Sequence, residues 1–523
     1  MMNAGKGAWL RFMLATVAVT GLAACNHKAD SSGAKDGTTS QHAEGAIAWR
    51  EGDVDDAFSE ARESGKPVLL YWGARWCPPC NQLKSTLFKD PAFIEQTRAF
   101  VPVYLDGDSE GAQRWGEKFG ISGYPTVIVL RPDGSEITRV SSGATVARIA
   151  DVLRLAASRT TSIETLLATA ASDPARLTPD DWSLLSGFDW QNDPRHFGAT
   201  GGAATVLDRL AAAAPDGPLK RRFTLLALTV GAGSPNGKPV LPPARQAALT
   251  QTLPQVLASP DEVKANRQEL SYSVPALVAA LSAGPERAKL GSALIAALDR
   301  IHDDASLPIP DRLGTVAADI ALAKDQTGHV PAAVLAKVRA RSAWVDSAAK
   351  DAMVRQSAIS NAADLLHEAG DDKGARTLLE GELKRSASPY YYMLSLAALA
   401  EETGDGKAAI DWARKAYETA EGPATRVQWA IAYSSTVLRQ APRDKAAVEA
   451  SAQAVINELA KNPGSYYQRT RVKVSAWGQA VREWSRANDG GAVLANLAAK
   501  MAQVCKSQGE GQAQCNAWGK AAA

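Results

Sequence analysis

Histidine, cysteine and aromatic residues are scarce in this chain. Its 523 residues include six histidines and five cysteines, and aromatic side chains make up 6%. His196, His302, His329 and His367 show no ligand spacing, so the sequence predicts no metal centre. Few aromatics and abundant alanine favour helices over sheet. Charge of one sign is not in excess: the formal net charge is +2, which excludes a strong field for nucleic acid or acidic membrane. No nucleophile triad, phosphate loop or paired-carboxylate signature stands out, and no cofactor is expected. Beyond Cys25 no apolar run reaches the ~20 residues that a membrane-crossing helix needs. Val274 to Leu281 comes nearest and reads as a helix core.

What the chain does have begins at its amino end. Lys6 and Arg11 are basic, and Phe12 to Leu22 is an apolar stretch of 11 residues, the pattern of an export signal. Leu22-Ala23-Ala24-Cys25 follows at once. This resembles the lipobox of bacterial lipoproteins, which implies cleavage before Cys25 and lipidation of its sulfur. Asn26 rather than Asp follows, which by the sorting rule of that family implies the outer membrane with the protein facing the periplasm. Several acyl chains would anchor stably where one would not. Residues 26–45 carry nothing large and apolar and read as a flexible tether with a reach of roughly 25 Å. His27 and His42 in it read as solvated.

Of the remaining cysteines, Cys505 and Cys515 lie near the carboxyl end around Gly509 and Gly511. In an exported chain they are expected to close a structural disulfide. A second redox pair is the alternative, but no C-x-x-C or helix start supports it.

Cys77 and Cys80 form C-x-x-C, and their surroundings alternate between strand and helix signals. Asp53 to Ser64 reads as a helix with Asp53 as N-cap and Gly65 as its stop. Val68 to Trp72 is an apolar run between Pro67 and Gly73, as in a buried strand. After Trp76-Cys77-Pro78-Pro79-Cys80 the pattern turns helical from Asn81 to Phe88. Phe100 to Leu105 is a second strand, Glu110 to Phe119 a helix and Thr126 to Leu130 a third strand. Pro132-Asp133-Gly134 turns it back into Glu136 to Val140, and Thr145 to Ala156 closes with a helix.

This order places the cysteines at a strand-to-helix turn. The attacking sulfur in disulfide exchange must be a thiolate, and a helix N-terminus lowers its pKa. Cys77 is expected to sit there exposed, with Arg75 near it or turned to solvent. Cys80, one turn on, can attack the mixed disulfide and release the client. A bare C-x-x-C could also be an inert disulfide or half of a metal site. The downstream Gly120-Ile121-Ser122-Gly123-Tyr124-Pro125-Thr126 argues against both.

Together, Trp76-Cys77-Pro78-Pro79-Cys80 and Tyr124-Pro125-Thr126 resemble the thioredoxin superfamily. They are most similar to the periplasmic thioredoxin-like domain of membrane thiol:disulfide interchange proteins. The resemblance covers about 110 residues, a fifth of the chain. It implies catalytic Cys77 and Cys80. It also implies Trp76, Pro78, Pro79, Tyr124 and Pro125 at the active site, with Pro125 cis and the backbone of Tyr124 presented to an extended client. Two positions depart from the family. Tyr71 stands where a buried Asp is usual, and Pro102 where a Lys is common. In thioredoxins those groups help move the proton of the second cysteine.

After residue 158 no strand pattern recurs. Thr178-Pro179 reads as a helix start, Pro242-Pro243 as a helix junction and Gly231 to Pro243 as an exposed loop. Gly370-Asp371 recurs as Gly404-Asp405, Ala363 as Ala397, Ala375 as Ala409 and Pro389 as Pro423, each 34 residues on. This resembles the tetratricopeptide repeat, with large consensus aromatics partly replaced by Ala413 and Leu379. A degenerate third unit has Ala446 onward as its second helix and ends at Pro463-Gly464. Such arrays form concave peptide-binding surfaces. Tyr390, Tyr391, Tyr392, Tyr466 and Tyr467 could line one or pack at helix ends.

The expected architecture is an α/β thioredoxin-like domain followed by a large all-α helical (tetratricopeptide-like) region. The divisions are a signal at 1–24, lipidated Cys25 and tether at 25–45, the thioredoxin-like domain at 46–157, a helical region at 158–350 and the repeat-like region at 351–523. The expected function is thiol–disulfide exchange on client proteins in the bacterial envelope, with a membrane electron donor as partner. An oxidant or isomerase using the same residues, and a non-catalytic binding scaffold, are the alternatives.

Overall fold

A computed structural model describes residues 46–51, 54–141, 145–158, 161–190, 202–231, 239, 241–508, 512–516 and 518. The export signal, Cys25, the tether, Asp53, His196 and most of the 231–243 loop lie outside them, as do Gly509 and Gly511.

Five strands form one sheet: β1 (Arg50–Glu51), β2 (Val68–Gly73), β3 (Val101–Asp106), β4 (Thr126–Leu130) and β5 (Glu136–Ser141), in the order β1-β3-β2-β4-β5. β2 is central and all six of its residues are buried, as a strand covered on both faces must be. It runs parallel to β3 and antiparallel to β4. The Pro132-Asp133-Gly134 turn joins β4 to β5 in an antiparallel pair. Around the sheet lie α1 (Val54–Ser64), α2 (Pro78–Ser85), α3 (Pro91–Thr97), α4 (Glu110–Phe119) and α5 (Val146–Ala157). β1 is too short to carry an alternation, and the sequence pattern missed it. α3 was also missed, although the Asp90 side chain caps it at the Phe93 amide and Pro91 starts it. α2 stops at Ser85 and a short 3₁₀ turn, Leu87–Lys89, follows, so the helical pattern through Phe88 bends there.

Past β5 every described element is helical. No helix among the described residues is long and apolar enough to cross a membrane. The first helices of this region do not form a separate body. Leu166, Trp182, Leu207 and Phe223 share a core with Leu69, Val129 and Val152 of the sheet and α5. Farther along, helices pair: Ala352–Glu368 with Asp372–Glu382, Pro389–Glu402 with Gly406–Thr419, and Pro423–Gln440 with Lys445–Lys461. Gly370 and Gly404, at φ 92° and 84°, turn the first two pairs in the left-handed region that glycine favours. Asp371, Asp405 and Asp444 cap the second helix of each pair in the same way. Of the tyrosines, Tyr390, Tyr392 and Tyr466 are buried.

Cys505 and Cys515 are bonded to each other, ten residues apart, beside Trp477, Met501 and Trp518. Closing so short a loop limits the unfolded chain by about 2–3 kcal/mol. A Cys505→Ser, Cys515→Ser chain is therefore expected to lose that much in the denaturant unfolding of its last helices. Unchanged unfolding would show that packing alone holds this end.

Candidate active site

The carboxyl end of β2 delivers Trp76 and Cys77 to the start of α2. Pro78 and Pro79 open that helix, where missing N–H groups cost little. Cys77 is the N-cap residue, and its Sγ accepts the Cys80 backbone N–H at 3.3 Å. Sequence reasoning counted the missing N–H of Pro78 and overlooked this third amide, which the N-cap geometry supplies. Cys77 and Cys80 are bonded, with Cα atoms 5.3 Å apart. Asn81 Nδ2 donates to the carbonyls of Arg75 and Cys77 at 2.9 and 3.0 Å, fixing the turn. The Tyr124–Pro125 peptide is cis. The Tyr124 ring lies 6.3 Å from that of Trp76. Trp76, Cys77, Cys80 and Tyr124 thus share one cluster, with cis Pro125 next to Tyr124, whereas Cys505 and Cys515 belong to a separate one.

Below α2, Tyr71 packs into an aromatic group with Trp49, Phe88 and Tyr104. Its hydroxyl has no hydrogen-bond partner among the described residues, and burial pushes its pKa up. Pro102 is buried opposite Leu69. Lys84 and Asp106 also lie in this sector. Lys84 lies one turn after Cys80 on the same side of α2. Its Nζ donates to Tyr104 Oη at 3.4 Å, and Tyr104 Oη donates to Asp106 Oδ2 at 3.1 Å. Burial pulls the Lys84 pKa down while Asp106 opposes it. The lysine four residues after Cys80 was the readable signal for this group.

The expectation of an exposed Cys77 does not hold. Cys77 is 2% exposed and Cys80 0%. The cover comes from the far end of the helical region. The helix Ala352–Glu368 packs along α2, and Gln356 Nε2 donates to the Trp76 carbonyl at 3.0 Å. Trp76 Nε1 donates to Thr425 Oγ1 at 2.9 Å. Thr425 in turn donates its backbone N–H and its hydroxyl to Asp108, at 2.6 and 2.7 Å. Burial outweighs these bonds and pushes the Asp108 pKa up to about 6. Around the Trp76 ring stand Trp429 at 5.0 Å, Tyr391 stacked at 6.0 Å and the Arg469 guanidinium at 5.4 Å. Arg469 also lies 4.6 Å from the Tyr124 ring centre. One turn on, burial pulls the Lys473 pKa down to about 7, with Arg469 adding to the shift. Arg75 pairs with Glu421 at 2.9 Å and stays largely exposed to solvent. None of these partners except Tyr391 was singled out from sequence, because each lies hundreds of residues from Trp76. Among the described residues no cluster of side chains could hold a metal.

A model of the thioredoxin-like domain matches residues 54–157. The chain is 34% identical over 110 residues to thiol:disulfide interchange protein DsbD 1 of Pseudomonas aeruginosa, covering 20% of this chain and 19% of that one. It thus spans about a fifth of that relative's length. It is 30% identical over 89 residues to a thioredoxin H-type of Oryza sativa subsp. indica, covering 17% of this chain and 67% of that one. Barley protein disulfide-isomerase is 29% identical over 127 residues, 24% of each chain. A solved thioredoxin from Thermus thermophilus is 25% identical and matches 21% of this chain and 86% of its own, with a TM-score of 0.19. Through residues 54–157, then, the chain belongs to the thioredoxin-like domain family.

Proposed function

We propose that this protein is an envelope thiol–disulfide oxidoreductase that reduces or exchanges disulfides of client proteins through Cys77 and Cys80. The carrying observation is Cys77 as N-cap of α2 with Cys80 bonded to it one turn inside. In the reaction, the Cys77 thiolate attacks a client disulfide and one client thiolate leaves. Cys80 then attacks Cys77, forming the Cys77–Cys80 disulfide and freeing the second client thiol. Two electrons pass to the client. Asp106, linked to Lys84 through Tyr104, is offered as the acceptor of the Cys80 proton in place of the family's buried Asp. Trp76, Pro78, Pro79, Tyr124 and Pro125 shape the client face. Lipid on Cys25 holds the protein at the periplasmic face of the outer membrane. The paired helices act as a tetratricopeptide-like client surface, and a membrane electron conduit recharges the dithiol.

Reduction is favoured over oxidation. A strong oxidant needs an unusually stabilised first thiolate. Here both intervening residues are prolines, and Arg75 is engaged by Glu421. Equilibration against a glutathione series is expected to place the pair nearer about −270 mV than about −120 mV. A value above about −150 mV would move the protein to the oxidant or isomerase class. The burial of Cys77 favours a second reading, a binding scaffold whose disulfide is inert, and failure of the pair to equilibrate at all would select it.

A further inference from the structure

The chain closes on itself. Its first helices after β5 share a core with the sheet, and its later helices return over the disulfide. The return contacts carry the composition of a separable interface. Trp76, Trp429, Tyr391 and Arg469 cluster at the centre, the residue types that dominate binding hot spots. Polar bonds ring them: Gln356 to Trp76, Trp76 to Thr425, Thr425 to Asp108, Gln82 to Asp311, and Arg471 to Glu117. The Arg75–Glu421 pair on the rim is 61% and 63% exposed, so solvent screens it and it adds little.

Disulfide exchange needs an incoming sulfur to reach Cys77 Sγ, and at 2% exposure there is no room for one. Everything that a bound polypeptide could use around Trp76 is already engaged. Its indole N–H has an acceptor, its carbonyl has a donor, and its ring is stacked.

We propose that the corner Glu421–Thr425, with Trp429 and Gln356 behind it, is a built-in pseudo-client that occupies the client face of the thioredoxin-like domain and must be displaced before exchange. The inference rests on reading Cys77 and Cys80 as a redox pair. It also specifies the partner. A client able to compete is a polypeptide segment whose cysteine is flanked by a hydroxyl or amide group and an aromatic side chain. These replace the bonds of Thr425 and Gln356 and the rings of Tyr391 and Trp429. A small thiol or disulfide offers none of these and does not open the corner.

Two variants of the full chain open the corner from the helical side and leave the redox domain untouched. Gln356→Ala with Thr425→Ala removes both bonds to Trp76 and the hydroxyl bond to Asp108, and leaves the backbone N–H of residue 425 on Asp108. Gly422→Val acts differently: Gly422 is at φ 93°, and a Cβ there would fall 2.3 Å from the Asp108 carboxylate. The probe is a bulky maleimide on the reduced protein, with alkylation at Cys77 followed by peptide mass mapping. Wild type is expected to be protected, and both variants to react at least about tenfold faster, the first through its three lost bonds and the second through the close approach of its side chain to Asp108. Their rate with a disulfide-bonded peptide should rise in parallel. Wild-type Cys77 reacting as fast as the variants, or both variants staying as protected as wild type, overturns the proposal. Faster alkylation without peptide exchange in any of the three chains leaves the pseudo-client standing and removes the redox reading instead.

Discussion

Cys77→Ser is expected to abolish exchange with a peptide disulfide, a loss on the order of a thousandfold or more, because the attacking group itself is gone. Cys80→Ser should behave differently. Its Cys77 can still attack, but nothing resolves the product, so a mixed disulfide with the client accumulates. A non-reducing gel and mass mapping of the adduct distinguish the two. The asymmetry follows from position: Cys77 caps α2 and receives an amide N–H, whereas Cys80 lies one turn inside at 0% exposure. Equal exchange by Cys77→Ser and wild type would leave a scaffold with an ornamental disulfide. The trapped adducts from Cys80→Ser in cells would also name the clients.

Arg355→Met is expected to cost about 3–5 kcal/mol, the penalty for leaving a buried carboxylate with only the exposed Arg385, at 3.7 Å, as a cation. Arg355 is the fourth residue of its helix and 9% exposed, and Glu382, in the next helix, is 1% exposed. The guanidinium donates Nε to Glu382 Oε1 at 3.0 Å and Nη1 to the Asp346 and Ala349 carbonyls at 2.9 and 3.0 Å. The same arrangement returns two helix pairs later. Arg426, again fourth in its helix, donates Nη2 to buried Glu458 Oε1 at 2.8 Å. In the middle pair the fourth residue is Tyr392 and no such ion pair forms. Denaturant unfolding of the helical region should shift accordingly, and Arg355→Met with Glu382→Leu should recover most of the loss, because the stranded charge goes with its partner. A single variant as stable as wild type would mean that Glu382 reaches water.

Local chemistry made much of the thioredoxin-like domain readable. β2, β4 and β5 were visible because apolar runs end at Pro, Gly and a Pro-Asp-Gly turn. α4 was visible from the helical period of Glu110 to Phe119, which Ser109 and Gly120 cap in the structure. The repeated Gly-Asp turns marked two helix pairs, since a left-handed glycine followed by a capping Asp is a local requirement. The two-residue β1 left no period to read. At α3 the Asp-Pro start was present but was overshadowed by the longer patterns on either side.

The redox pair divides along the same line. Cys-x-x-Cys after a buried strand and before a helix, with Tyr-Pro-Thr downstream, places two sulfurs at a helix start, and that depends on neighbours a few residues away. Whether those sulfurs meet solvent depends on Gln356, Thr425, Trp429 and Arg469. The bonds from the first two to Trp76 span 280 and 349 residues. A helical period shows only that such helices have a buried face; it carries no record of what covers that face. The return of the chain over its own disulfide comes from the way successive helix pairs pack and turn, so the site was legible in the sequence and its closure only in the tertiary structure.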